Sequence, residues 1–302
     1  MIEGMQTSDE WCGKMRKWLI KKTRIMLCVI GTIFFILLIW TVWGNTALMV
    51  STISISSSHI PAAFSGFRIA QVSDLHNAEF GKNNAELLKL LSESRPDIIV
   101  ITGDLIDAQH TDVEIALCFA RESVKIAPVY YVTGNHEAAS PQYDTLKAGL
   151  EAAGVIVLED ETVYIERGGE TISLLGLADP DFTIRGDMFG EVPAMASTKL
   201  KNLIDAESGY TILLSHRPEL FETYVDGGID LVFSGHVHGG QFRLPFIGGL
   251  VAPNQGLFPK YDAGLYTDGS TSMVVSRGIG NSIIPFRFNN RPEIVLVELN
   301  AR

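Results

Sequence analysis

The chain has only three cysteines, and Cys12, Cys28 and Cys118 fall on an N-terminal tail, in an apolar run and on an expected helix. Those positions argue against a disulfide framework and against a thiolate metal site. No Arg-Arg pair occurs, so a twin-arginine export signal is not supported. Basic residues are scarce: 24 Lys and Arg face 35 Asp and Glu. Without residues 1–43 the counts are 18 and 32, a net charge near −14. An acidic surface repels phosphate backbones, and no basic–aromatic stretch is present, so nucleic acid is not an expected partner. Internal repeats and long low-complexity tracts are also missing.

No Lys or Arg occurs between Arg24 and Arg68, and an uncharged run extends from Ile25 to Ile60. Its most apolar part, Ile25–Trp43, is about 19 residues, which at about 1.5 Å per residue nearly spans a hydrocarbon core of roughly 30 Å. Trp40 and Trp43 suit an interface. The expectation is a transmembrane signal anchor. The run is long for a signal peptide, Asn45-Thr46-Ala47 is a poor cleavage site, and a buried globular helix would carry a polar face. Lys14, Arg16, Lys17, Lys21, Lys22 and Arg24 precede the run. Positive-inside bias then places the N-terminus in the cytoplasm and the large domain on the outer, periplasmic side of the cell (inner) membrane. The expected organisation is a basic tail over 1–24, the anchor over 25–43, a linker or edge strand over 44–65, and the main folded domain over 66–302.

Beyond the anchor, apolar runs alternate with helical periodicity. Strands are expected at Arg68–Val72, Asp97–Ile101, Val129–Val132, Tyr210–Leu214 and Leu231–Phe233, and helices over Asn84–Ser94, Asp112–Ile126, Gln142–Ala153, Lys199–Ala206 and Pro218–Val225. Val155–Leu158, Thr162–Arg167, Thr171–Leu175, Ser272–Ser276 and Glu293–Leu299 also read as strands. Repeated βα units argue for an α/β sheet protein, and the later strands for a second, mixed sheet.

The chemistry-bearing residues sit where these strands end. Five of the seven histidines fall in Asp74-Leu75-His76, Gly134-Asn135-His136-Glu137, Ser215-His216 and Gly235-His236-Val237-His238. Gly103-Asp104 follows another apolar run. In open α/β sheets, loops at the carboxyl ends of strands converge on a ligand. Asp74, His76, Asp104, Asn135, His216, His236 and His238 are too many donors for one tetrahedral zinc and suit two divalent ions sharing a carboxylate. Nitrogen and oxygen donors without thiolate fit manganese, iron or zinc. Two such ions clamp the oxygens of an in-line displacement at phosphorus. Gly-His-x-His is expected to work through strand alternation, which puts both rings on one face. His59 and His110 fit no motif and are expected at the surface.

This order of motifs (Asp74-Leu75-His76, Gly103-Asp104-Leu105-Ile106-Asp107, Gly134-Asn135-His136-Glu137, His216, Gly235-His236-Val237-His238) resembles the calcineurin-like metallophosphoesterases over roughly residues 66–300. Gly239–Phe246 resembles the membrane-associated bacterial phosphodiesterase branch. The resemblance implies an α/β fold of two mixed sheets packed face to face with helices outside, an αββα sandwich. It implies that Asp74, His76, Asp104 and His238 hold one ion and Asp104, Asn135, His216 and His236 the other. A hydroxide between the ions is then the nucleophile and His136 the catalytic general acid, with Glu137 orienting it. Asp107 has no definite role at this stage, whether helix start or support for the site.

The function expected is a membrane-anchored, dinuclear metal-dependent phosphohydrolase. Its substrate would be a phosphodiester or pyrophosphate, with a lipid-linked one among the options. The alternatives are a phosphomonoesterase or protein phosphatase, and a non-catalytic metal-binding membrane protein. A monoester dianion needs cationic clamps beyond the metals; Arg185, Arg217, Arg243, Arg277, Arg287 and Arg291 are the candidates. Phe242–Pro259, apolar and rich in Gly and Pro, is either a buried irregular loop on the second sheet or an apolar lip near the site that touches the bilayer or a lipid tail.

Overall fold

The computed structural model describes residues 8–184, 190–204, 209–281 and 284–302. These fall into two compact units, 1–43 and 44–302. The first helix, α1 (Ser8–Thr46), carries the apolar run, is exposed from Trp11 to Trp40, and is long and apolar enough to cross a membrane.

In the second unit the chain runs β1 (Met49–Ser57), β2 (Phe67–Val72), α2 (Ala85–Glu93), β3 (Ile98–Thr102), α3 (Val113–Ser123), β4 (Val129–Val132), α4 (Asn135–Ala139), α5 (Tyr143–Ala153) and β5 (Ile156–Val157). It continues through β6 (Glu161–Arg167), β7 (Glu170–Leu177), α6 (Glu191–Leu203), β8 (Tyr210–Ser215), α7 (Phe221–Asp226) and β9 (Leu231–Ser234). Two small hairpins follow, β10 (Arg243–Leu244) with β11 (Gly248–Gly249) and β12 (Val251–Ala252) with β13 (Gly256–Leu257). The last strands are β14 (Gly264–Asp268), β15 (Thr271–Val275) and β16 (Glu293–Ala301).

Two six-stranded mixed sheets form, in the orders β1-β16-β2-β3-β4-β5 and β14-β15-β9-β8-β7-β6. β2, β3 and β4 are parallel neighbours, as are β7, β8 and β9, so the strands of each triplet end on a common side. Strands buried on both faces read as continuous apolar runs, which is why Ile98–Ile101 and Ile212–Leu214 include no polar residue. The core between the sheets joins Ile69, Val100 and Val132 to Leu174, Ile212 and Phe233. A second core packs α2, α3 and α5 on the first sheet, through Leu87, Phe119 and Leu146 among others. A third packs α6 and α7 on the second sheet, through Leu200 and Tyr224. This is the αββα sandwich that the resemblance implied.

Some details differ from expectation. α6 begins at Glu191 rather than Lys199, because Pro193 lies in its first turn, where no intrahelical N–H is needed; Ala206, its expected end, lies outside the described residues. Phe242–Pro259 is only partly buried and not wholly irregular: it forms the two hairpins, Ala252 joins the core on the second sheet, and Phe246, Ile247, Leu257 and Phe258 are exposed.

Candidate metal centre

Asp74 and His76 follow β2, Asp104 follows β3, and Asn135 opens α4 after β4. His216 follows β8, and His236 and His238 follow β9. Five of these seven residues, Asp74, His76, Asp104, His236 and His238, have φ between 45° and 72°. Left-handed backbone is uncommon outside glycine and costs of order 1–3 kcal/mol per residue where the surroundings impose it. Such strain at five donors marks a built site. His236 and His238 come together through the turn after β9, not through strand alternation, since β9 stops at Ser234.

Two buried groups emerge, Asp74 with His76 and His238, and Asp104 with His216 and His236. The His216 ring shows the arrangement most clearly. Its Nδ1–H donates to the Thr102 carbonyl at 2.7 Å. That leaves Nε2 3.2 Å from Asp104 Oδ2, 3.2 Å from Asn135 Oδ1 and 3.2 Å from His236 Nδ1. One nitrogen cannot serve three acceptors with a single hydrogen, whereas a cation is satisfied by just such a set. A backbone acceptor on the far ring nitrogen is the usual support of a ligating histidine. In the other group, His76 Nε2 lies 3.1 Å from His238 Nε2 and 3.5 Å from Asp104 Oδ2, and His238 Nε2 lies 3.5 Å from Asp74 Oδ1. Asp104 faces both groups, so the donor set fits two divalent ions with a shared carboxylate.

Burial leaves three of the four rings ready for a cation. Burial pushes His76 down to about 4, against the pull of Asp104. Burial, then Arg217 and His216, hold His236 well below the usual range; burial, then His76 and Arg287, do the same to His238. These rings are neutral and have lone pairs to offer. Burial alone would lower His216, but the Asp104 carboxylate overrides it and raises the ring to about 10. Burial lifts Asp74 to about 6, with His216 pulling it back and Asp104 adding to the rise.

The backbone fixes the carboxylates. His236 N–H donates to Asp74 Oδ1 at 3.0 Å, and His136 N–H to Asp104 Oδ1 at 2.9 Å. The Glu137 carboxylate accepts N–H from Gly134 (2.7 Å), Asp104 (2.8 Å) and Ile106 (3.2 Å). Glu137 therefore ties two ligand loops together and does not orient the His136 ring. Consecutive residues of α4 point about 100° apart, so neighbours in sequence do not share a face. Instead His136 Nδ1 accepts the Ala108 N–H at 3.0 Å, and Asp107 Oδ2 lies 3.6 Å from it and 3.8 Å from His76 Nδ1. Asp107 also gathers the Gln109 and His110 N–H groups, both at 2.9 Å. His59 and His110 are exposed, His59 beside Asp230.

Two arginines reach the centre. Arg217, buried, forks onto Asp179 with Nε–Oδ2 at 2.6 Å and Nη2–Oδ1 at 2.8 Å, and its Nη1 lies 3.2 Å from His236 Nε2. Asp179 follows β7 as the other site carboxylates follow their strands, a signal the sequence contained. Arg287 places Nη2 3.3 Å from His238 Nδ1 and also bonds the Gly280 and Arg277 carbonyls. Arg243 pairs with Asp262, Arg277 lies beside Glu293, and Arg291 bonds the Ala47 and Leu48 carbonyls. Arg185 lies outside the described residues. A cleft of about 370 Å³ opens over the centre, its lining shared between the polar Asp104, Asn135, His136, His236, His238 and Gln241 and the apolar Val237, Val251, Ala252, Pro253 and Ile284.

The sequence profile described as "Calcineurin-like phosphoesterase" matches residues 67–240. The "Uncharacterized metallophosphoesterase YkuE" of Bacillus subtilis is 34% identical over 254 residues, covering 82% of this chain and 84% of that one. "Phosphodiesterase YaeI" of Escherichia coli is 28% identical over 246 residues, covering 77% and 82%. The bovine "Transmembrane protein with metallophosphoesterase domain" is 28% identical over 265 residues, covering 83% of this chain and 57% of that protein. With the profile spanning both groups of donors and one residue in three shared with the Bacillus relative, the chain belongs to the calcineurin-like phosphoesterase family.

Proposed function

We propose that the protein is a membrane-anchored, dinuclear metal-dependent phosphodiesterase. The observation that carries the diester reading is the cleft wall: among the described residues its lining holds no Lys or Arg and is half apolar. A monoester dianion asks for cationic clamps beyond the metals, whereas a diester monoanion carries a second substituent that an apolar wall can receive. Arg217 and Arg287 are already engaged by carboxylate and carbonyl oxygens. The name of the Escherichia coli relative points the same way.

Asp74, His76, Asp104 and His238 would hold one ion, and Asp104, Asn135, His216 and His236 the other. Manganese, iron and zinc all suit these donors. Two divalent ions, when bound, supply Lewis-acid polarisation and charge neutralisation at phosphorus. His136 lines the cleft and is the proton donor to the leaving oxygen. Asp107 Oδ2, 3.6 Å from His136 Nδ1, is the carboxylate beside that ring. Asp74 and Asp104 keep their orientation through the His236 and His136 N–H groups. The substrate class is a phosphodiester or pyrophosphate, with lipid-linked esters as the leading members. Positive-inside charge bias supports a cytoplasmic N-terminus and an outer, periplasmic catalytic domain.

The test compares His136→Ala with the parent chain on bis-(p-nitrophenyl) phosphate and p-nitrophenyl phosphate with manganese. The reading expects the diester to be the better substrate and the variant to lose about 10²–10⁴ in kcat while binding the same metal equivalents. Faster monoester turnover, or an unaffected variant, would overturn it.

A further inference from the structure

From Leu244 to Pro259 the chain contains no charged residue, between Arg243 and Lys260. Pro245–Ile247 is the tip of the first hairpin, and Leu257 and Phe258 lie at the open end of the second. Phe246 is fully exposed, and Ile247, Leu257 and Phe258 are each more than half exposed. Phe246 and Phe258 have φ of 67° and 55°. A bulky side chain in the left-handed region is an outlier. Here two phenylalanines adopt it at sites where burial gives nothing back within the chain. Leaving each in water forgoes the roughly 1.5–3 kcal/mol that burying such a side chain yields.

The same part of the second unit holds its own first residues. Asn45, in the last turn of α1, accepts the Arg287 N–H at 2.7 Å and donates to the Arg287 carbonyl at 2.8 Å. Arg291 bonds the carbonyls of Ala47 and Leu48. One residue before Arg287, the half-exposed Phe286 stacks edge-on against Phe242, with ring centroids 5.4 Å apart. Phe242 leads directly into β10, so the Phe246 tip is at most about 13 Å further along at roughly 3.3 Å per residue. The Gln241 amide holds the Ile284 and Phe286 carbonyls at 2.9 and 2.7 Å. Ile284, Val251, Ala252 and Pro253 in turn line the cleft. The first residues of the second unit, the exposed apolar side chains and the cleft lining are thus linked through Phe286, Phe242 and Gln241.

We infer that Phe246, Ile247, Leu257 and Phe258 form a membrane-docking rim around the mouth of the site, inserted into the lipid bilayer that α1 crosses. The occupant is lipid because the apolar run ends at Trp43, two residues before Asn45 in the sequence, and Asn45 lies on this part of the second unit. The domain's acidity and the charge-free stretch mean that the contact is made by apolar insertion, so it needs no anionic lipid and resists salt. A site whose mouth faces the bilayer takes phosphoesters at the membrane surface. The inference rests on reading α1 as a membrane span and is independent of the reaction.

The full chain, with Cys12, Cys28 and Cys118 replaced by Ser, is reconstituted singly into phosphatidylcholine nanodiscs. An environment-sensitive fluorophore is placed by Phe246→Cys, Phe258→Cys, Ile36→Cys in the span, or Tyr164→Cys on the exposed face of β6. Docking predicts blue-shifted emission at 246 and 258, with quenching by nitroxide lipids approaching that at 36, unchanged in 0.5 M salt (about three times physiological ionic strength), and a water-like spectrum at 164. Water-like emission at 246 and 258 with a lipid signal at 36 overturns the rim and leaves the span intact. Water-like emission at 36 as well overturns both. A blue shift at 246 and 258 without lipid quenching means that protein, such as a second copy, covers them, and this too overturns the inference.

Discussion

The carboxylate of Glu137 accepts the backbone N–H of Asp104 at 2.8 Å, and through this bond α4 sets the position of the carboxylate that faces both groups of donors. Burial and the nearby Asp104 charge raise Glu137 to about 7, while the three N–H donors resist the rise. Glu137→Ala leaves those donors unpaired in a buried place, at about 1–3 kcal/mol each before relaxation. The variant should melt several degrees lower. It should also bind manganese about 10–100-fold more weakly, the usual effect of losing a ligand's support. Calorimetry and metal titration read the two effects, and unchanged metal affinity would count against the role given to Glu137.

Gly134 illustrates how closely the ligand loops meet. Its φ of −113° suits any residue, so backbone strain is not the issue. A Cβ built there would lie 2.2 Å from Asp104 Oδ1 and 2.7 Å from the Asp104 nitrogen. Gly134→Ala must therefore displace Asp104. The expected result is a folded protein that holds fewer than two metal equivalents and has lost at least about tenfold in turnover, following the cost of ångström-scale misplacement. Elemental analysis after gel filtration measures the first, and a fully loaded variant would contradict the geometry.

Arg217 and Asp179 form a buried fork beside His236. Removing one partner strands a charge, which costs about 3–5 kcal/mol, whereas replacing both with apolar residues of similar size is often neutral. Arg217→Met and Asp179→Leu should each lower the denaturant midpoint strongly, and the double variant should recover much of the loss. Equal, additive losses would show that the pair does not act as a unit.

Much of the site was legible because its donors follow uninterrupted apolar runs. Ile98–Thr102 and Leu231–Ser234 are buried on both faces, so periodicity gives way to continuous hydrophobicity and the first polar residue marks the strand's end. Asp104, Asn135, His216 and His236 sit at such ends, while Asp74 follows a strand that carries Gln71 in its interior. The reach of Asp107 toward His76 and His136, and the partnership of Asp179 with Arg217, were not legible, because both depend on which loops meet in space. Glu137 misled for a local reason, since it adjoins His136 in sequence while α4 turns it the other way. The hairpins β10–β13 escaped because strands of two residues, rich in Gly, carry no periodicity, and β14 because its Gly-Leu-Tyr-Thr-Asp edge alternates too briefly.

The most direct test of the account is Asp104→Asn, measured for bound metal and for manganese-dependent hydrolysis of bis-(p-nitrophenyl) phosphate beside the parent chain. If Asp104 bridges two ions, the parent holds two equivalents and turns over the diester, while the variant holds at most one and its turnover falls to background. A variant that keeps two equivalents and parent-like turnover would contradict the dinuclear centre assigned to this cleft.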